Sequence, residues 1–154
     1  MTLRRSRGFT LLELLLVMLL AGIALGVAGL AGGGDRQRLA YREAGLLLQV
    51  VQHARQQAVL EGQALGLRID PHGYQLMLRA GPVWAAAGQR RAIELDLQLE
   101  IDGVAVALHG PASGAQLVFA STDEYTPFSL HFHEAGVRLA SLTSDGLNDP
   151  WLER

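Results

Sequence analysis

Residues 4–31 read RRSRGFTLLELLLVMLLAGIALGVAGLA. Three arginines (Arg4, Arg5, Arg7) precede Gly8, an apolar run starts at Phe9, and one carboxylate, Glu13, stands inside that run. From Phe9 to Ala31 the polar exceptions are Thr10 and Glu13. At about 1.5 Å per residue, such a helix spans roughly 30–35 Å, one bilayer core. The basic flank is expected to stay cytoplasmic. Everything after Ala31 is then outside, which in a diderm bacterium means the periplasm.

Glu13 separates the possible readings of this run. An ordinary cleaved signal peptide has a shorter apolar core followed by a small-x-small site. A plain membrane anchor leaves Glu13 unexplained, because an ionised carboxylate in the bilayer costs about 2.5–3.5 kcal/mol on insertion scales. A cut between Gly8 and Phe9 supplies the missing partner. It creates an α-amine at Phe9, one helical turn from Glu13. Cation and anion then neutralise each other, within one chain or between neighbouring helices, and the charge becomes an assembly device.

Gly8-Phe9-Thr10-Leu11-Leu12-Glu13 resembles the type IV prepilin signature: a short basic leader, Gly at the cut, Phe next, and Glu in the fifth place after it. The resemblance implies that a prepilin peptidase removes residues 1–8 on the cytoplasmic face and N-methylates Phe9. It also implies that the helix stays in the inner membrane until it becomes the core of a filament.

Composition limits the alternatives. With 154 residues, 49% of them hydrophobic, the chain holds one ordinary domain plus an extra element. Without cysteine, it can form no disulfide, no Cys-based zinc site and no thiol nucleophile. Every Lys/Arg-type cation is arginine. From Ala64 to Arg154, six arginines against eleven carboxylates leave −5, a balance that does not attract phosphate backbones, so no nucleic-acid partner is expected.

Gly32-Gly33-Gly34 interrupts the apolar run, and Asp35 is a good N-cap. A loop between two helices and one long helix that bends here both fit. Asp35 to about Leu60 reads as an amphipathic helix, with Leu39, Ala40, Ala44, Leu47, Val50, Val51, Ala54 and Ala58 near 3.6 spacing. Arg36, Arg38, Arg42, Glu43, Gln49, Gln52, Arg55 and Gln56 are expected mostly on the other side, and Gly62 at the helix end. The apolar stripe is expected to pack on the domain C-terminal to it.

Beyond Gly62 the period becomes two. Strands are expected at 64–69, 74–78, 93–101, 104–108, 117–120, 128–132 and 137–142, with turns at Asp70-Pro71-His72-Gly73, Asp102-Gly103 and Glu134-Ala135-Gly136. The expected class is α+β: a long N-terminal helix packed on an antiparallel β-sandwich. The expected layout is leader 1–8, membrane or filament helix 9–31, periplasmic helix 32–62 and β-rich domain 63–154.

Enzyme-like features are weak. His131-Phe132-His133 puts two imidazoles on one strand face, but no third metal ligand is placed by sequence. A solvated or partly buried face is expected there. Asp123-Glu124 and Asp145-x-x-x-Asp149 lack a calcium-loop pattern and read as loop acids or a protein-binding rim. No serine is marked as activated, and no Gly-x-Ser-x-Gly or phosphate loop is present. No enzymatic activity, metal or cofactor is expected. Trp84 and Trp151 are core or interface aromatics, and Trp151, near the C-terminus, is the better candidate for meeting a partner.

Several downstream stretches narrow the resemblance: Gly66-Leu67-Arg68-Ile69, Gly73-Tyr74-Gln75-Leu76, Trp84, Ile101-Asp102-Gly103, residues 118–121 and 126–130, and Leu142-Thr143-Ser144-Asp145-Gly146. Together they are similar to the H-type minor pseudopilins of type II secretion. This implies a structural subunit near the tip of a periplasmic pseudopilus. It would join the minor pseudopilins of types I, J and K to the major G-type subunit, in support of export of folded proteins through the outer membrane. The alternative is a minor pilin of a type IV pilus (FimT/FimU-like) acting in pilus assembly or DNA uptake. The acidic tail 145–154 argues against DNA capture.

Overall fold

The computed structural model describes the backbone of residues 11–109 and 114–153, and the side chains of all of these but 24–33. The chain divides into two units, residues 1–36 and 37–154. Helix α1, Leu11–Glu61, contributes to both, and its bounds include Gly32-Gly33-Gly34.

In the second unit the helix buries one stripe. Ala40, Ala44, Leu47, Val51, Ala54 and Ala58 are all fully buried, at alternating spacings of four and three. The four alanines let the helix axis approach its neighbours closely. Gly62 ends the helix at φ +64°, and the Gln63 amide donates to the Ala58 carbonyl at 3.2 Å. This is the Schellman closure, which favours glycine because the left-handed conformation strains any residue with a Cβ.

Ten strands follow: β1 Leu65–Asp70, β2 Gly73–Ala80, β3 Val83–Ala86, β4 Arg91–Ala92, β5 Asp96–Ile101, β6 Val104–Val106, β7 Leu117–Phe119, β8 Phe128–Glu134, β9 Val137–Ser144 and β10 Trp151–Glu153. They form two antiparallel sheets. One runs β3-β2-β1-β7 with β4 also on β2; the other runs β10-β9-β8-β5-β6. Leu65, Leu67 and Ile69 of β1, Leu97 and Leu99 of β5, and Phe128, Leu130 and Phe132 of β8 share one core with the helix stripe. The α+β architecture is the expected one.

The turns follow residue chemistry. Asp102-Gly103 (φ +51°, +75°) and Ala135-Gly136 (φ +49°, +79°) both have two successive left-handed residues, the twist that joins β5 to β6 and β8 to β9 tightly. Gly66 is buried for a different reason: a Cβ there would collide with Ala115 and press on the Trp84 ring. Trp84 therefore lies across the face of the first sheet, half-buried, with the Arg79 guanidinium 5.8 Å from its ring centroid.

Three expectations are corrected. Ile93 to Leu95 keeps the alternation of a strand, with Ile93 and Leu95 buried, but ladder pairing starts only at Asp96. The pattern reports which residues face the core, and hydrogen bonding needs a partner strand as well. Strands β3, β4 and β10 were not expected; each forms by pairing along an edge that β2 or β9 offers. Finally, Glu43 and Arg55, assigned to the polar side of the helix, are only 7% and 8% exposed.

Candidate functional site

The sequence-predicted site is at the N-terminus. Gly8 and Phe9 lie outside the described residues. Glu13 is described: it lies near the start of the described part of α1, and it is exposed. Around it the helix is apolar on every side. Leu11 and Leu12 are 80% and 77% exposed, and Leu14 through Leu20 all remain more than half exposed, as does Ile23. Such a surface is not a face for packing on one neighbour; it requires an apolar surrounding on all sides. Among the described residues no helix is long and apolar enough to cross a membrane; the described side chains of the run are those of 11–23, about 20 Å of helix.

A second arrangement holds the far end of the helix. Arg55 meets Asp123 at 3.1 Å, Asp149 at 3.1 Å and the Leu147 carbonyl at 3.2 Å. Its guanidinium stacks 4.5 Å from the centroid of Tyr125. The Tyr125 hydroxyl in turn donates to the Asn148 carbonyl and accepts from Ser144. One helix residue thus gathers two loops far apart in sequence. The arginine fork suits this task because it offers several donors in fixed directions. Its depth explains why periodicity missed it: a long cationic side chain can be buried when every donor finds an acceptor. Burial raises the Tyr125 pKa, opposed by the Ser144 hydrogen bond and by Arg55.

The acidic loops therefore have internal duties. Asp123 and Asp149 pair with Arg55. Asp145 accepts from the amides of Leu147 and Asn148 and from the Asn148 side chain. The Asn148 side chain is the largest cause of its pKa being lowered to about 2. The histidines are likewise engaged. His131, 8% exposed, shares a 2.8 Å hydrogen bond between Nδ1 and the Ser141 hydroxyl, with Nε2 3.7 Å from Glu100. His133 follows a register shift after Phe132, and burial, then His131 and Arg138, lower its pKa. Among the described residues no group of three or more His, Cys, Asp or Glu is placed to hold a metal ion. Trp151 remains 43% exposed on edge strand β10.

Comparison with known proteins places these features. The prokaryotic N-terminal methylation motif matches residues 3–29, and type II transport protein GspH matches residues 43–146. Type II secretion system protein H of Pseudomonas aeruginosa is 33% identical over 167 aligned positions, covering 97% of each chain. Two solved structures share the fold. The minor pseudopilin EpsH from the Type 2 Secretion System of Vibrio cholerae has a TM-score of 0.63 at 23% identity, over 74% of this chain and 94% of that one. E. coli GspH has a TM-score of 0.66 at 20% identity, over 80% and 94%. The methylation motif, the helix and the two-sheet domain occur in one order on one chain, and the chain belongs to the type II transport protein GspH family, the H-type minor pseudopilins of type II secretion.

Proposed function

We propose that this subunit acts near the tip of a periplasmic pseudopilus, linking minor pseudopilins of types I, J and K to the major G-type subunit and so supporting export of folded proteins. Its role is structural rather than catalytic. The chain is made with leader 1–8, which the prepilin peptidase removes between Gly8 and Phe9 before methylating Phe9. Residues 9–31 anchor the subunit in the inner membrane and later enter the filament core. Residues 32–62 continue as periplasmic helix, and 63–154 form the β-rich domain.

The observation that carries this reading is the helix segment Leu11–Ile23, apolar and exposed all round, with Glu13 as its one charged residue. In lipid or among other helices that surface is satisfied, and Glu13 pairs with the α-amine of Phe9, its own or a neighbour's. The pair selects assembly: a helix with an uncompensated carboxylate gains most beside one that offers the opposite charge.

A clean deletion in the native host, scored for exoprotein secretion and for pilus-driven motility, tests the reading. Loss of secretion with intact pili is expected. Normal secretion with lost pili would instead make the protein a type IV minor pilin. Gly8→Ala is expected to leave the leader attached, read as a mass difference in the purified chain.

A further inference from the structure

Beside its core stripe, α1 carries a second one. Leu46, Gln49, Val50 and His53 come at i, i+3, i+4 and i+7. Leu46, Val50 and His53 form one wall of an open groove of about 440 Å³. Tyr74 and Leu76 of β2 and Arg91 of β4 form the other. Leu46, Val50 and Leu76 are only half-buried, so the walls of the groove offer apolar surface.

Two further observations say what fits it. Tyr74 is 5% exposed, and its hydroxyl is the buried side-chain polar atom, among the described residues, without a hydrogen-bond partner. A buried donor of this kind favours the arrival of an acceptor. The groove also reverses the sign of its surroundings. On a domain that carries −5 from Ala64 onward, no carboxylate lines it, whereas Arg91 does. Glu43, beneath Arg91, is already paired with it at 3.2 Å and with Arg42 at 3.4 Å. The Arg91 side chain still remains 44% exposed.

We infer that this groove seats a segment of a neighbouring protein chain in which an Asp or Glu is flanked by aliphatic residues. The aliphatic side chains lie between Val50 and Leu76, and the carboxylate meets the exposed side of Arg91, above the Tyr74 hydroxyl. A small carboxylate alone would leave the apolar walls wet. A wholly apolar segment would bring no acceptor. The inference rests on the reading of the chain as one subunit of an assembly.

The test places a photo-crosslinking amino acid at Gln49 or Gln89, both on the groove, in the full-length chain in its native host. A control probe goes at Val137, exposed on the β8–β9 hairpin. The adducts are mapped by mass spectrometry. Both groove probes are expected to reach one peptide of another protein, with an acidic residue between aliphatic ones, and the Val137 probe is not. His53→Glu, at an exposed position, puts a like charge on the rim and is expected to lower the adduct yield about fivefold, whereas His53→Gln preserves it. Adducts to lipid alone, to copies of this chain alone or to a peptide without a carboxylate would overturn the inference, as would a yield that His53→Glu leaves unchanged. If groove adducts fail while Glu13→Val still abolishes secretion, the groove inference falls and the assembly reading stands. If Glu13→Val secretes normally as well, the assembly reading falls with it.

Discussion

The two stretches of helix α1 solve the same problem with different neighbours. From Gln37 to Glu61 the helix is amphipathic, and its stripe Ala40, Ala44, Leu47, Val51, Ala54 and Ala58 is fully covered by the chain's own sheets. From Leu11 to Ile23 the helix is apolar all round and nothing in the same unit covers it. Charges show the same division. Glu43 and Arg55 are buried against partners supplied by the fold, while Glu13 is exposed on a segment that its own unit leaves uncovered. A helix that buries one face can be completed by its own domain. A helix that is apolar on every face needs a membrane or other subunits.

The sharpest way to break this comparison is Glu13→Val. Incorporation into filaments is expected to fall at least roughly tenfold, while thermal unfolding of the β-rich domain stays put. Co-purification with filament partners at the wild-type level would show the charge pair to be dispensable.

Two identical truncations on the one helix come next. Leu47→Ala is expected to cost about 2–5 kcal/mol of domain stability, through lost burial and the cavity it leaves. Leu16→Ala is expected to change that stability by less than about 0.5 kcal/mol. Denaturant unfolding of the full chain in detergent, read by tryptophan fluorescence, measures both. Similar losses would mean that the two stretches do not differ in what covers them.

Arg55→Met sharpens the second half of the comparison. It keeps the apolar stem and removes the three contacts to Asp123, Asp149 and Leu147. The loss is expected at about 1–3 kcal/mol, at the low end because Asp123 and Asp149 are 60% and 75% exposed and screened by solvent. The same unfolding assay decides it, and a stability equal to wild type would reduce the cluster to surface decoration.

The smallest effect is one of pH. The Asn148 side chain and the loop amides lower the Asp145 pKa to about 2, and the Arg90 hydrogen bond is the largest cause of the lowered Asp70 pKa. A lowered native pKa contributes stability above the unfolded value of 3.8 and loses it as pH falls through the native value. Unfolding midpoints are therefore expected to hold steady near neutrality and decline below about pH 4. Asp145→Asn should flatten part of that decline, and an unchanged acid limb in the variant would remove Asp145 from the account.

Much of this was legible in the chain itself. The run Phe9–Ala31, the lone Glu13 within it and the spacing of the helix stripe are local patterns, set by which neighbours a periodic backbone brings to one face. The turns at Asp102-Gly103 and Ala135-Gly136 were legible too, because the expected loops proved to hold left-handed backbone that glycine readily adopts. Strands β3, β4 and β10 were not, because each exists only where β2 or β9 offers an open edge to pair with.

Sequence by itself determined that an apolar helix carrying one carboxylate precedes an amphipathic helix and an alternating β region. Only the tertiary structure decided that Arg55 and Glu43 turn inward, and that Tyr74 is buried with its hydroxyl unmet beside an open groove. The physical reason is distance along the chain. Period and propensity act over a few residues, whereas the acceptors for Arg55 arrive from 68 and 94 positions away. No local pattern records that they will meet.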